Sequence, residues 1–260
     1  MKKFIHDFHI IENKDLNPGH FVLTLKPEVN LPPIFPGQFA EVRIDGSTGT
    51  FLRRPLSFHD VDYDANTITL LVQRKGDGTN RLAVMKPGDT INMVYPLGNS
   101  FHIGSSGERA LLVGGGCGVA PLLYLGKILA KNGIRVTTLM GARSEEYIME
   151  PERYKGHGEL LLTTEDGKAG TKGYVIHHEV WRERNFSFDR VYTCGPDPMM
   201  KAVARLAVRH QVPCEVSLEQ TMACGVGACL CCVIETNEGN KCTCTDGPVF
   251  DPNDLKNWLE

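Results

Sequence analysis

Six of the nine cysteines in this 260-residue chain fall between Ala223 and Asp246, in the stretch ACGVGACLCCVIETNEGNKCTCTD. They are Cys224, Cys229, Cys231, Cys232, Cys242 and Cys244. Cys224, Cys229 and Cys232 make C-x4-C-x2-C, and a fourth thiol follows at Cys242 or Cys244. That is the spacing of a plant-type 2Fe-2S ligand set. Two irons need four thiolates, three of them from one tight loop. Gly225 and Gly227 let the backbone curl around inorganic sulfides and turn N–H groups toward them. Ala223 and Ala228 are small enough not to crowd the cluster. The rest of the chain is organised around this loop.

Other uses of cysteine fit less well. Nine is an odd count, and a chain of this length has no need of a disulfide framework. Four thiolates also suit zinc, but structural zinc sites favour paired C-x2-4-C knuckles, and only one is clear here. Plain core cysteines would not cluster this way. Cys231 would replace Cys232 only by giving C-x-C, and spacing alone leaves Cys242 and Cys244 both open as the fourth ligand.

The length leaves room for two domains and a small cap. A hydrophobic content of 42% and a charged content of 23% are ordinary for a soluble globular protein. A net charge of −3 implies neither a nucleic-acid nor an acidic-membrane partner. No apolar run is long enough to span a bilayer. In MKKFIHDFHIIEN, His6, Asp7 and His9 interrupt any signal-peptide core, so no targeting segment is expected. Free thiols at this density point to a reducing compartment, the cytoplasm.

Through the first hundred residues, strand-length apolar runs recur between turn signals. They are Phe4–Ile11, His20–Leu25, Gln38–Ile44, Thr67–Gln73 and Thr90–Tyr95. Phe39, Glu41 and Arg43 alternate with Ala40, Val42 and Ile44. Short strands at regular spacing predict an antiparallel barrel or sandwich. Two segments there fit anion binding. Arg53-Arg54-Pro55-Leu56-Ser57 sets a cation near a hydroxyl on a proline-fixed strand, which suits a phosphate and a flavin edge; the plain reading is a solvated strand end. Gly76-Asp77-Gly78-Thr79-Asn80 opens a short helix, either as a phosphate turn or as a simple connection.

From Arg109 the pattern changes. Ala110–Val113 is a continuous apolar strand of the buried parallel kind. It runs into Gly114-Gly115-Gly116-Cys117-Gly118-Val119-Ala120-Pro121, then a helix from Leu122 to Lys131 stopped by Gly133, then a strand over Ile134–Met140. This is a βαβ unit whose turn offers backbone N–H groups to a pyrophosphate. The run is not G-x-G-x-x-G, and Gly141-Ala142-Arg143-Ser144 replaces the acidic residue expected after the second strand. These residues leave NAD and NADP open; NAD is the reading adopted. Further elements follow: a strand at Glu159–Thr164, a helix within Gly173–Arg184, and a strand at Arg190–Cys194. Asp197 is expected to cap a helix, with Pro198 in its first turn. Cys194 and Gly195 end a strand where an open α/β sheet binds ligand, although a buried cysteine needs no such role. Adjacent His177 and His178 do not share a helix face, which argues against a metal pair. Cys214–Leu218 reads as a last strand. Asp251 to Glu260 reads as one helical turn packing Leu255, Trp258 and Leu259 on the chain's own domain.

The order RRPLS, GDGT, GGGCGVAP, TCGP resembles the ferredoxin-reductase superfamily of flavoproteins. The closing ACGVGACLCC…CTCTDGPVF is similar to the electron-transfer subunits of the NAD-linked bacterial dihydroorotate dehydrogenases, and the likeness covers essentially the whole chain. It implies a β-barrel FAD domain over residues 1–102, an α/β nucleotide-binding domain over 103–213 and a small 2Fe-2S domain over 214–260. It implies FAD contacts from Arg54, Pro55, Leu56, Ser57, Leu71, Val72, Gln73, Gly78 and Thr79. Gly114, Gly115, Gly116, Gly118, Cys194 and Gly195 fall to NAD. It gives Cys224, Cys229, Cys232 and Cys244 as ligands, Cys244 because it stands directly before the x-D-G-P-V-F segment. Cys231 and Cys242 are not required by the family pattern.

The same resemblance implies a partner, an FMN-containing catalytic subunit that oxidises dihydroorotate, in a heterotetramer of two of each subunit. Electrons would pass through the 2Fe-2S cluster and FAD to NAD+, in de novo pyrimidine (UMP) synthesis. No side chain of this chain need act as a general acid or base. One alternative is a paralogous reductase subunit of a hydrogenase or a ferredoxin–NADP transhydrogenase. Cys224 argues against it, because in that group the first ligand is often a carboxylate. A zinc-stabilised nucleotide-binding regulator is the alternative of a different class.

Overall fold

The computed structural model describes residues 2–47, 49–182, 184 and 186–260. The first unit is a seven-stranded antiparallel sheet. Its strands are β1 (Phe4–Asn17), β2 (His20–Pro27), β3 (Phe39–Val42), β4 (Arg54–Ser57), β5 (Asp60–Asp62), β6 (Thr67–Gln73) and β7 (Thr90–Leu97), with α1 (Asp77–Ala83) between the last two. Spatial order is β4-β3-β7-β1-β2-β6-β5. The two edge strands are successive parts of one segment. Its bend bonds to both flanks: Phe58 N–H donates to Gln38 O at 3.2 Å and His59 N–H to Thr69 O at 2.9 Å. The curl therefore encloses one apolar core, with Phe8, Phe21, Leu23, Leu70 and Tyr95 essentially inaccessible.

β1 runs past the expected end at Ile11. A register shift between Ile10 and Glu12 lets the alternation restart beyond the half-exposed Ile11. All four residues of β3 are buried, Glu41 included. The sheet's outer face is covered there by the cysteine loop.

The second unit is a mostly parallel sheet. Its strands are β8 (Arg109–Gly115), β9 (Arg135–Ala142), β10 (Glu159–Thr164), β11 (Thr171–Lys172), β12 (Arg190–Cys194) and β13 (Cys214–Ser217). Their order is β11-β10-β9-β8-β12-β13, with an antiparallel edge strand, β16 (Val249–Phe250), beyond β13. Helices α2 (Ala120–Lys131), α3 (Pro151–Lys155) and α4 (Asp197–Arg209) connect the strands. The order reverses between β8 and β12, so their C-terminal ends open the ligand crevice of such sheets. Leu111, Leu112 and Val113 of β8 are fully buried, as the continuous apolar run requires. β13 belongs to this sheet, so the boundary drawn at residue 213 falls just inside it. β14 (Val233–Thr236) and β15 (Gly239–Cys242) form a separate hairpin beside the cysteines.

Three local expectations are corrected. The helix within Gly173–Arg184 is replaced by two single 3-10 turns, Val175–His177 and Glu179–Trp181; Glu183 of that span lies outside the described residues. The His177 and His178 rings accept from Tyr174 N–H and Val180 N–H, and so cap each turn separately. Pro196, not Asp197, stands at the cap of α4, and Asp197 is its first helical residue. The tail makes a 3-10 turn at Pro252–Asp254, and Leu255 then pairs with Thr236. Leu255, Trp258 and Leu259 do pack on the chain's own core. No helix among the described residues is long and apolar enough to cross a membrane.

Candidate functional site

The cysteine loop is seated on β3 and β7. Cys232, Cys242 and Cys244 are buried in one cluster with Phe39 and Leu97. Cys224 is half-buried, and Cys229 and Cys231 are exposed. Gly225 has φ +65°, and a side chain there would lie 2.7 Å from Glu41 Cγ and 3.0 Å from Leu97 Cδ1. Only glycine allows that turn at that closeness.

Cys224 interacts with Cys229, and Cys232 with both Cys242 and Cys244. Backbone N–H groups point at the sulfurs. Val226 and Cys229 donate to Cys224 Sγ, each at 3.4 Å, and Gly227 donates to Cys244 Sγ at 3.2 Å. Burial opposes ionisation of Cys224, but these N–H groups outweigh it and bring the thiol down to about 6. Burial pushes Cys244 up to about 12, which a bound cation would reverse. Among the described residues no three ligand-type side chains converge on a single metal ion. The donor set fits a 2Fe-2S group.

The flavin motif lies directly across β3. Ser57 pairs with Phe39, whose ring packs among the cysteines, so Ser57 stands one residue pair from the loop. All four residues of β4 are only half-buried, while its neighbour β3 is wholly buried. That is a strand with an uncovered face. Arg53 and Arg54 divide their work. Arg53 clamps the fold, donating to Glu41 O at 3.2 Å, Asn92 O at 3.0 Å and Asn92 Oδ1 at 2.6 Å. Arg54 has no carboxylate partner among the described residues; its hydrogen bond is to Arg53 O at 3.5 Å. Its guanidinium sits beside Gly78 at the start of α1. The chain thus brings Arg54 to the glycine turn, the pairing a diphosphate would use. The Thr79 hydroxyl is engaged in that turn, accepting from Lys75 and Gly76 N–H at 2.9 and 3.2 Å. Its hydroxyl is therefore a capping group.

The nucleotide loop meets both β12 and the barrel. A side chain at Gly118 would lie 2.4 Å from Cys194 O and from Gly195 Cα, so only glycine lets the two strand ends close. Cys117 Sγ donates to Leu71 O at 3.8 Å, tying the loop to the strand carrying Leu71, Val72 and Gln73. Leu71 and Val72 are buried and Gln73 is exposed. Burial pushes Cys117 up to about 12 and Cys194 higher still, so both are neutral thiols and neither is a nucleophile at neutral pH. Arg143 is exposed beyond β9.

Three residues at these seams were not singled out by the sequence. Glu219 interacts electrostatically with Cys117, Cys194 and Lys75, and desolvation raises its carboxyl although its outer side is exposed. Its signal was its place between the last parallel strand and the cysteine loop. Glu41 and His59 had no local signal, because their burial comes from elements distant in sequence.

Two family models match. Residues 219–256 match the iron-sulfur cluster binding domain of dihydroorotate dehydrogenase B, and residues 112–205 match the oxidoreductase NAD-binding domain. The "Dihydroorotate dehydrogenase B (NAD(+)), electron transfer subunit" of Geobacillus sp. (strain WCH70) is 41% identical over 246 residues, covering 93% of this chain and 94% of that protein. The protein of the same description from Fusobacterium nucleatum is 35% identical over 258 residues, covering 97% and 98%. Among solved structures, a chain of the NADH-dependent reduced ferredoxin-NADP oxidoreductase superposes with TM-score 0.86 at 33% identity, covering 96% of this chain and 89% of that one. The ferredoxin reductase of carbazole 1,9a-dioxygenase, at 18% identity and TM-score 0.69, shares the fold. By length, identity and matched domains, the chain belongs to the family of dihydroorotate dehydrogenase B (NAD(+)) electron transfer subunits.

Proposed function

We propose that this chain carries electrons from an FMN-containing dihydroorotate dehydrogenase catalytic subunit, by way of a 2Fe-2S cluster and FAD, to NAD+ in de novo pyrimidine synthesis. The observation that carries the reading is that β3 lies between the flavin motif and the cysteine loop: Phe39 pairs with Ser57 on one side and packs with the buried Cys232, Cys242 and Cys244 on the other. When bound, the flavin supplies the exchange between a hydride and single electrons, and the cluster supplies passage of one electron at a time.

The protein's own groups bind and orient. Arg54 and the Gly78 turn hold the flavin diphosphate. Pro55, Leu56 and Ser57 of β4 lie along the flavin, with Leu71, Val72 and Gln73 of β6, and the Thr79 hydroxyl shapes the phosphate turn. Gly114, Gly115, Gly116 and Gly118 offer amides to NAD, and Cys194 and Gly195 border its nicotinamide. Cys224, Cys229, Cys232 and Cys244 ligate the irons. Residues 1–102, 103–213 and 214–260 divide the three tasks, with β13 shared between the last two. The assembly we propose is a cytoplasmic heterotetramer, two copies of each subunit.

A second reading is favoured by one observation, the TM-score of 0.86 to a chain of a ferredoxin-NADP oxidoreductase. It keeps the cofactors and changes the partner. Gentle purification of the tagged chain from its own cells, with mass spectrometry of what stays bound, separates the two. The proposal expects a roughly equal amount of an FMN-containing barrel subunit and NAD+-dependent dihydroorotate oxidation. Recovery of a hydrogenase or transhydrogenase subunit instead would remove the pyrimidine assignment.

A further inference from the structure

His59 is fully buried at the bend between β4 and β5, two residues beyond Ser57. Its Nδ1 lies 2.9 Å from Ala120 O and its Nε2 lies 2.9 Å from Glu150 Oε2. Both ring nitrogens are engaged, one with a main-chain carbonyl and one with a carboxyl oxygen of the second unit, so the ring is held between the barrel and that unit. Burial works to raise the Glu150 carboxyl, but its bonds to His59 and Arg153 hold it below the usual value. Glu150 itself takes a left-handed backbone, φ +47°, directly before α3.

Charges continue outward from this pair. Arg153 reaches Glu150 Oε2 at 3.2 Å and Asp60 Oδ2 at 2.6 Å. Lys127 of α2 reaches Asp60 Oδ1 at 2.8 Å and Val61 O at 2.8 Å. The pinned atoms matter most. Ala120 is the first residue of α2, and the preceding carbonyl, Val119 O, accepts from Tyr154 O–H at 2.8 Å. Both follow directly on the Gly114–Gly118 loop. Turning either peptide plane turns the amides beside it.

We infer that His59 is a positioning residue for exchange between nicotinamide and flavin: it fixes the first turn of the nucleotide-binding helix to the end of the flavin-binding strand. The inference rests on the assignment of FAD and NAD to those two elements. A buried, hydrogen-bonded polar pair adds little net stability relative to well-packed apolar groups, but it sets a direction. Hydride transfer between stacked rings is sensitive to such direction, and a displacement of about 1 Å costs up to about 100-fold in rate.

The test uses the full chain with flavin, cluster and partner subunit. Three substitutions divide the two bonds. His59→Asn keeps a donor near the Nδ1 position, toward Ala120; His59→Gln keeps one near the Nε2 position, toward Glu150; His59→Leu keeps neither. Anaerobic rapid mixing with NADH reads the flavin reduction rate per bound flavin, the NADH concentration at half-maximal rate, and the long-wavelength charge-transfer absorbance of the nicotinamide–flavin pair. The expected rate order is wild type, Asn, Gln, Leu, with Leu down by about tenfold or more and the half-maximal concentration changed by less than about threefold. The charge-transfer band should weaken in the same order. Hydrogen exchange at the amides of residues 119–124, read on the unloaded chain, should quicken in the same order and needs no activity.

Equal rates and bands per bound flavin in all four proteins would overturn the inference, as would an effect confined to the half-maximal concentration. Should His59→Leu fail to fold, the Asn and Gln variants still decide through their order. A wild-type complex whose flavin NADH does not reduce would instead overturn the cofactor assignment beneath it.

Discussion

The curled sheet makes two buried seams, and they treat charge in opposite ways. At the seam with α2, His59 meets an acceptor at each nitrogen, and the surrounding Asp60, Lys127, Glu150 and Arg153 are all paired. At the seam with the cysteine loop, Glu41 is equally inaccessible, yet both its carboxylate oxygens lack a hydrogen-bond partner among the described residues. Burial pushes its carboxyl up to about 7; Arg53 pulls against this and Cys224 adds to it. A buried group that is paired keeps its charge and fixes a geometry. One that is unpaired gives up its charge and becomes sensitive to pH. The first seam fixes a geometry; the second leaves a buried carboxyl beside Cys224.

The largest effect should come from breaking the cysteine seam itself. Cys244→Ser and Cys232→Ser should each abolish the visible iron–sulfur absorbance and the low-temperature EPR signal of the reduced protein. Cys242→Ala and Cys231→Ala should keep both signals. Loss on Cys242→Ala with retention on Cys244→Ser would exchange the fourth ligand. At the other seam, Glu150→Leu leaves the buried His59 Nε2 without its partner. It should lower unfolding free energy by about 1–3 kcal/mol, measured by denaturant unfolding of the chain, because a buried polar group is left unpaired.

Glu41 gives the next effect, and its sign follows from the raised value. The folded chain keeps the Glu41 proton up to about 7, whereas the unfolded chain releases it near 4.5. Stability contributed by this group is therefore complete below that lower value. It falls as pH rises between the two and levels off above. The full fall is about 3 kcal/mol at most. Glu41→Gln keeps the shape and should flatten this part of the stability–pH curve; an unchanged slope would show that Glu41 is not the titrating group. The smallest effect belongs to the rim of the paired seam. Lys127→Met should cost less than about 1 kcal/mol, because its ion pair with Asp60 is partly open to solvent.

What the sequence made legible divides along the same line. The cysteine spacing, the continuous apolar strand at Ala110–Val113 and the glycine run after it are local signals of local chemistry, and each sits where it was expected. Arg54 lies beside Gly78 in the structure, and the joint role of the two rests on the family resemblance. Glu41 and His59 were missed for one reason. Alternation marks a polar residue on a strand as outward-facing, but both faces of β3 are covered, one by the core and one by a loop nearly two hundred residues away. His59 looks like one more turn residue until Ala120 and Glu150 close on it. The helix expected near His177 gives way to two short 3-10 turns, each with an amide bonded to a histidine ring.

On the proposed function, electrons from dihydroorotate reach NAD+ only through this chain. The direct measurement is anaerobic addition of dihydroorotate to the catalytic subunit with and without this chain, following NADH formation and the EPR signal of the reduced cluster. The account predicts that both appear when the chain is present, and that Cys244→Ser removes both. NADH formation by the catalytic subunit alone would contradict it, as would a cluster that NADH reduces but dihydroorotate does not.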